Sequence, residues 1–279
     1  MDEAARKQIG EFWSGAGHKT GSAGLKLRWW QSPFIVRHIN MRVSGQPIGG
    51  MSHGLMRRVQ ELLDGRVLTK GVSVGCGNAA KELDLIKAGL VESFDLCEFS
   101  VTRIAEARAR AEQMGLSERI RFIHGDAFEL VKDGGQYDLV HWNNSLHHMF
   151  DVDAAVKWSQ HVLEAGGLFY MDDFVGPTRF QWSDLALNLA SHVRLMLDER
   201  FLTDPRKPES RLPTDIRRPN PEKLKAADPS EAADSGRIID SVRRYFPDAE
   251  IVATGGIVYH LALSDILHNF DEEKDKTVL

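Results

Sequence analysis

The residues best suited to chemistry gather between positions 74 and 182 of a 279-residue chain. Val74-Gly75-Cys76-Gly77-Asn78-Ala79-Ala80 closes an apolar run with glycines, which turn the backbone sharply and admit a ligand that a Cβ would exclude. Glu98 follows Gly77 by twenty-one residues, a spacing at which a carboxylate can accept hydrogen bonds from both hydroxyls of an adenosine ribose. A nicotinamide dinucleotide and a methionine-linked adenosine satisfy these two features equally. Further on, Gly125-Asp126-Ala127-Phe128 sets a short acid beside an apolar ring, a pair that matches the amino group and the flat face of adenine.

Two histidines, His147 and His148, come after the fourth apolar run, and histidine is the side chain best matched to proton removal near neutrality. We expect His147 to be a general base and His148 to be a packing or hydrogen-bonding fixture beside it. Asp172 and Asp173 offer another base or half of a divalent-ion site; a solvated strand end is the plainer reading, and Asp173 joins the histidines as a catalytic candidate. No carboxylate pair is spaced so as to demand a metal, and none is expected. Aromatic faces mixed with hydrogen-bonding ends in 174–182 suit a sugar-like acceptor, so Arg179, Gln181 and Trp182 are substrate candidates; the alternative is a helix start packing on the sheet. Trp30, in the aromatic stretch 27–33, is expected either over the cofactor mouth or as part of a docking helix. Seven basic against four acidic residues between 200 and 223 could meet a phosphate or carboxylate, or be a solvated loop.

The elements that must position these groups alternate short apolar runs with amphipathic stretches from 66 to 174, the pattern of βαβ units around a parallel sheet. Strands are predicted at 71–74, 93–96, 120–124, 137–142 and 167–171. Ser100 should cap a helix over 101–114 that stops at Gly115. Helices are also predicted at 2–13, 52–64, 179–197 and 229–245, and an antiparallel hairpin at 249–254 and 257–263 around Gly255-Gly256. Five prolines in 205–223 argue against regular structure there.

In this order the motifs Val72-Ser73-Val74-Gly75-Cys76-Gly77-Asn78-Ala79, Asp95 to Ser100, Gly125-Asp126-Ala127, Tyr137-Asp138-Leu139-Val140, Asn143 to His148 and Leu163-Glu164-Ala165-Gly166-Gly167 resemble the class I S-adenosylmethionine-dependent methyltransferase superfamily. The likeness covers 66–174. It implies an α/β, doubly wound, mostly parallel seven-stranded sheet with an antiparallel C-terminal hairpin, the Rossmann-like methyltransferase fold. It also implies S-adenosyl-L-methionine as cofactor. By the resemblance, Gly75 and Gly77 lie against the methionine part, Glu98 holds the ribose, Asp126, Ala127 and Phe128 frame adenine, and Asn143 approaches the amino-acid end, with Cys76, Asn78, Phe99 and Asn144 beside them. Two positions depart from the pattern: the acid usual before the loop is Ser73, and the third small residue is Ala79.

The expected organisation is a helical cap at 1–65, a cofactor-binding core at 66–174, a substrate-side insertion at 175–228, a closing helix and hairpin at 229–270, and a tail at 271–279. A hydrophobic share of 42%, a charged share of 27% and a net charge of −5 describe a globular chain without the positive field that recruits nucleic acid. No run of about 20 apolar residues crosses a bilayer, and Cys76 and Cys97 form no zinc or disulfide spacing. We therefore expect a cytoplasmic enzyme moving a methyl group to an oxygen of a small polar metabolite, with no nucleic-acid or membrane partner and a homodimer left open. Nitrogen or carbon acceptors, an NAD(P)-dependent oxidoreductase and a non-catalytic cofactor-binding subunit are the rivals.

Overall fold

The structure, a computed structural model, describes residues 3–15 and 24–275. It divides into two compact units. The first comprises Met1–Lys19, Leu63–Gln181 and Pro219–Ala249, and the second Thr20–Leu62, Trp182–Arg218 and Glu250–Leu279.

In the first unit five strands, β1 (Leu68–Val74), β2 (Val91–Glu98), β3 (Ile120–His124), β4 (Tyr137–Asn143) and β5 (Leu163–Asp172), form one sheet in the order β3-β2-β1-β4-β5. Every neighbouring pair is parallel. The predicted strands fall inside these spans, and for the mostly buried β1, β2 and β4 the reason is that buried parallel strands read as apolar runs. The unit also holds α1 (Glu3–Ser14), α4 (Ala80–Lys87), α5 (Val101–Gln113), α6 (Ala127–Leu130), α7 (Val152–Val162), α9 (Pro221–Ala227) and α10 (Ile238–Tyr245). Here α2 (Pro33–Ser44), α3 (His53–Leu63) and α8 (Asp184–Met196) complete the numbering and lie in the second unit, apart from the last residue of α3. Ser100 caps α5 as expected, its hydroxyl accepting from the Arg103 amide at 3.2 Å.

One face of the sheet is closed by α7 and α10, whose Val152, Val156, Ile238 and Val242 are buried with Val72, Val140, Trp142 and Leu146. Trp142 keeps its indole N–H satisfied by the Ser159 hydroxyl at 3.0 Å, so a large aromatic is buried without an orphan donor. The order reverses direction between β1 and β4. In open α/β sheets the crevice at the carboxyl ends of such strands is where ligands collect.

The second unit has its own core of Ile35, Phe201, Leu202, Leu263, Ile266, Leu267 and Phe270. A short antiparallel pair, β6 (Thr203–Asp204) with β7 (Lys207–Arg211), lies in it. This corrects the expectation that prolines exclude regular structure over 205–223: Pro208 sits in a two-stranded ribbon, where an edge position needs no N–H, and Pro221 opens α9 at a position whose N–H would be unpaired anyway.

The predicted hairpin is also corrected. The described residues contain five core strands rather than seven, and Ile257–Ala262 is a π-helical segment. Gly256 carbonyl accepts from the His260 amide at 2.7 Å and Val258 carbonyl from the Leu263 amide at 3.0 Å. Buried Arg194 of α8 donates to the carbonyls of Ala262 at 2.7 Å, Ser264 at 2.6 Å and Pro213 at 2.8 Å. The carbonyls leaving the segment thus find a guanidinium instead of a neighbouring strand. Two helix bounds shift as well: α8 begins at Asp184 behind its Ser183 cap, and 229–245 narrows to α10 preceded by a 3-10 turn at Ser235–Arg237. No helix is long and apolar enough to cross a membrane among the described residues.

Candidate functional site

The loop after β1 stands at this crevice. Gly75 has φ of 66°, and a Cβ on it would come within 2.9 Å of the Ser145 Cβ in the segment after β4, so the two strand ends meet there without room for a side chain. Gly77 has φ of 56°, with open space where its Cβ would point. The loop is tied to β2 through Glu98, whose carboxylate accepts from the Gly77 amide at 2.9 Å and the Ser100 amide at 2.9 Å. Burial raises the Glu98 pKa, and these amides only partly offset it. Burial, then the Glu82 and Glu98 charges, push the Cys76 thiol far up, and burial pushes Cys97 up to about 12.

Ser73, which stands where the resemblance expects an acid, is hydrogen-bonded to a carboxylate from another element. Glu82 of α4 is buried beneath the loop, accepting from the Ser73 hydroxyl at 2.6 Å and lying 3.0 Å from Nδ1 of buried His141 on β4. Burial alone would raise its pKa, yet hydrogen bonding and charge from His141, then Ser73, leave it lowered. Nothing in the spacing of Glu82 pointed to this contact; only its place on the buried face of α4 could have.

Asp126 caps α6, accepting from the Phe128 amide at 3.0 Å, and Ala127 is buried in the core. Phe128 packs edge-on against Trp158 at 5.2 Å. The Phe99 carbonyl lies 3.1 Å from the His124 imidazole. Asn78 caps its own turn weakly, its side chain 3.4 Å from the Ala80 amide. Asn143 ends β4, and Asn144 follows with φ of 50°, a conformation asparagine tolerates better than most residues. The open space at Gly77, a half-buried carboxylate at the end of β2 and a capping acid at the end of β3 suit an adenosyl ligand in size and polarity.

His147, His148 and Asp173 come together at this edge. Nδ1 of His147 is 2.5 Å from Asp173, whose carboxylate also accepts from the amides of Ser145 at 2.9 Å, Leu146 at 2.8 Å and Phe174 at 2.8 Å. Burial would lower the His147 pKa, but the Asp173 charge and hydrogen bond, helped by Glu231 and Asp228, raise it overall. Asp173 is lowered despite burial, first by the His147 charge. His148 is lowered to about 3 by burial and by its neighbour, so it stays neutral. Its Nδ1 is 3.0 Å from the Ser230 hydroxyl, and Trp13 of α1 stacks edge-on against its ring at 5.2 Å.

Reading the sequence alone missed Trp13, Asp228, Ser230 and Glu231. The acidic run Asp228-Pro229-Ser230-Glu231 was a signal, read only as a helix start. Arg179 and Gln181 lie in the first unit and hold this run and its approach: Arg179 donates to the carbonyls of Glu231 at 2.8 Å and Pro229 at 2.6 Å, and Gln181 to that of Pro219 at 3.1 Å. Trp30 and Trp182 belong to the second unit, where Trp30 is about half exposed and Trp182 lies 5.8 Å from the His260 ring. The basic run at 200–223 is largely paired: Arg200 with Asp275, Arg206 with Asp204, Arg211 with Glu199, Arg217 with Asp215 and Arg218 with Asp184.

Residues 72–167 match the family described as "Methyltransferase domain". The chain is 29% identical over 123 residues to 27-O-demethylrifamycin SV methyltransferase of Amycolatopsis mediterranei, covering 43% of this chain and 44% of that one. The match thus spans under half of that relative's length. Among solved structures, the chain is similar to geranyl diphosphate C-methyltransferase from Streptomyces coelicolor, with 14% identity, 61% of this chain and 64% of that chain covered, and a TM-score of 0.43. It is also similar to the PH0226 protein of Pyrococcus horikoshii, with 23% identity, 43% and 51% coverage, and a TM-score of 0.38.

Proposed function

We propose that this chain, whose residues 72–167 form a class I S-adenosylmethionine-dependent methyltransferase domain, transfers the methyl group of that cofactor to an oxygen of a small polar molecule. The bound cofactor supplies a methyl already activated on a sulfonium, so the protein has to align the acceptor, exclude water and manage one proton. Gly75 lets the loop pass close to Ser145, Gly77 leaves space for the cofactor, Glu98 is its ribose partner and Asp126 its adenine partner.

The observation that carries the oxygen acceptor is the His147–Asp173 pair at the sheet's carboxyl edge. A hydroxyl attacks poorly while it keeps its proton. Asp173 receives Nδ1–H of His147 and so presents Nε2 as the proton acceptor, while the four backbone amides that hold Asp173 fix the ring. A net charge of −5 and a mostly paired basic run favour a small acceptor over a polyanion. O-methylation in the rifamycin relative agrees with this reading.

Incubation with isotopically labelled S-adenosylmethionine and a panel of small polyhydroxylated molecules, read by mass spectrometry, tests the proposal. Label on an acceptor oxygen is expected. Label only on nitrogen or carbon, or none with any acceptor class, would refute the oxygen assignment. Calorimetry is expected to give micromolar binding of the cofactor and of its demethylated product, and Glu98→Ala to remove most of it; undiminished binding in the variant refutes the ribose role.

A further inference from the structure

His147, His148 and Glu231 each place one ligand atom within 4.8 Å of the other two. The set is two imidazoles and a carboxylate from separate stretches of the chain, which is why the spacing of residues gave no expectation of a metal. Nε2 of His147 is 3.7 Å from Oε1 of Glu231. That gap is too long for a hydrogen bond and close to the separation of about 3.4 Å between two ligand atoms on a tetrahedral ion with bonds of about 2.1 Å. The other separations are at most 4.8 Å, so the set closes with movements of up to about 1.4 Å, for which the partly exposed Glu231 side chain has other rotamers.

Each ring is already held through its other nitrogen, as metal-bound histidines usually are. His147 has Nδ1 on Asp173. For His148 the chain of bonds fixes the tautomer: the Ser230 hydroxyl donates to Asp228 Oδ1 at 2.6 Å, so it can only accept from His148 Nδ1–H at 3.0 Å. That leaves the lone pair of His148 on Nε2. The charge balance points the same way. Asp173, Asp228 and Glu231 surround the two rings, Oδ2 of Asp228 is buried without a hydrogen-bond partner 3.9 Å from His148 Nδ1, and the nearby Arg179 donates to backbone carbonyls. Excess buried carboxylate is costly unless a cation offsets it.

We propose that His147, His148 and Glu231 form a binding site for one divalent transition ion of the Zn²⁺, Co²⁺ or Ni²⁺ type. Two imidazoles select such an ion over Mg²⁺ or Ca²⁺, which prefer all-oxygen ligands. The ion uses the Nε2 lone pair that proton transfer would use, so the metal-loaded and base-competent states of His147 exclude each other. The site requires no methyl transfer and is tested without it.

Untagged full-length protein, stripped with a chelator, is titrated with Co²⁺ and followed by visible absorption. A ligand-field spectrum saturating at one ion per chain, bleached by Zn²⁺, is expected. Glu231→Gln and His148→Gln should each weaken Co²⁺ binding by about a hundredfold. Without any variant, Zn²⁺ should protect His147 and His148 from carbethoxylation, read by peptide mass spectrometry. A spectrum unchanged from aqueous Co²⁺, unaltered affinity in both variants, or equal modification with and without Zn²⁺ overturns the site. The two readings fail separately: the Co²⁺ spectrum is read with no cofactor or acceptor present, so its absence overturns the metal site alone, and absent methyl transfer by the chelator-stripped protein overturns the proposed function alone.

Discussion

At the scale of single residues, the His147–Asp173 pair separates binding from chemistry. Positioned general bases typically contribute about 10²–10⁴ in rate. His147→Ala should therefore lower kcat with a hydroxyl acceptor by about that factor, while calorimetric affinity for the cofactor stays within about threefold, since the polar partners of the ring are Asp173 and Glu231 rather than the glycine loop or Glu98. Equal losses in kcat and affinity would make His147 a structural fixture. A pH effect belongs to His260 in the second unit, lowered to about 4 by burial and then by Arg28. Folding holds this ring neutral, whereas the unfolded chain takes up a proton below its ordinary value of 6.5. The sign follows: stability is full above that value and declines as pH falls toward about 4. Acid titration followed by tryptophan circular dichroism should show this decline, to which His148, lowered to about 3, adds with the same sign, and His260→Leu should reduce it without abolishing it.

At the scale of elements, what the chain revealed was what local pattern controls. β3 was bounded to the residue and the other four strands fell inside their spans; for the central β1, β2 and β4, burial on both faces writes apolar runs into the chain. The sharp turn at Gly75 and the place of His147 and His148 just after β4 were legible because the apolar runs had already marked those strand ends. The 257–262 segment was not, because its conformation depends on a guanidinium more than sixty residues upstream. The grouping of Glu231 with the histidines was hidden for the same reason of distance along the chain. Arg194→Met keeps the aliphatic packing and removes three charge-assisted hydrogen bonds, leaving the carbonyls of Ala262, Ser264 and Pro213 unpaired. The expected cost is about 2–4 kcal/mol, a drop of several degrees in the unfolding midpoint by calorimetry. A loss under about 0.5 kcal/mol would mean that water satisfies those carbonyls.

At the scale of the whole molecule, neither unit is continuous in sequence. The matched stretch 72–167 invites excision as a free-standing domain, but the first unit also takes in 219–249. That segment supplies Ile238 and Val242 to the core and Asp228, Ser230 and Glu231 to the surroundings of the histidines. Burying the two aliphatic side chains contributes roughly 3–6 kcal/mol, a large part of the 5–15 kcal/mol typical of a whole domain. A fragment of residues 63–181 should therefore lack a cooperative thermal transition and bind 8-anilinonaphthalene sulfonate through exposed core surface. Ile238→Ala in the full chain should cost about 2–5 kcal/mol while leaving the fold intact. If the fragment instead melts sharply and binds S-adenosylmethionine with the affinity of the full chain, then 219–249 is dispensable and the cofactor site is complete within the matched stretch.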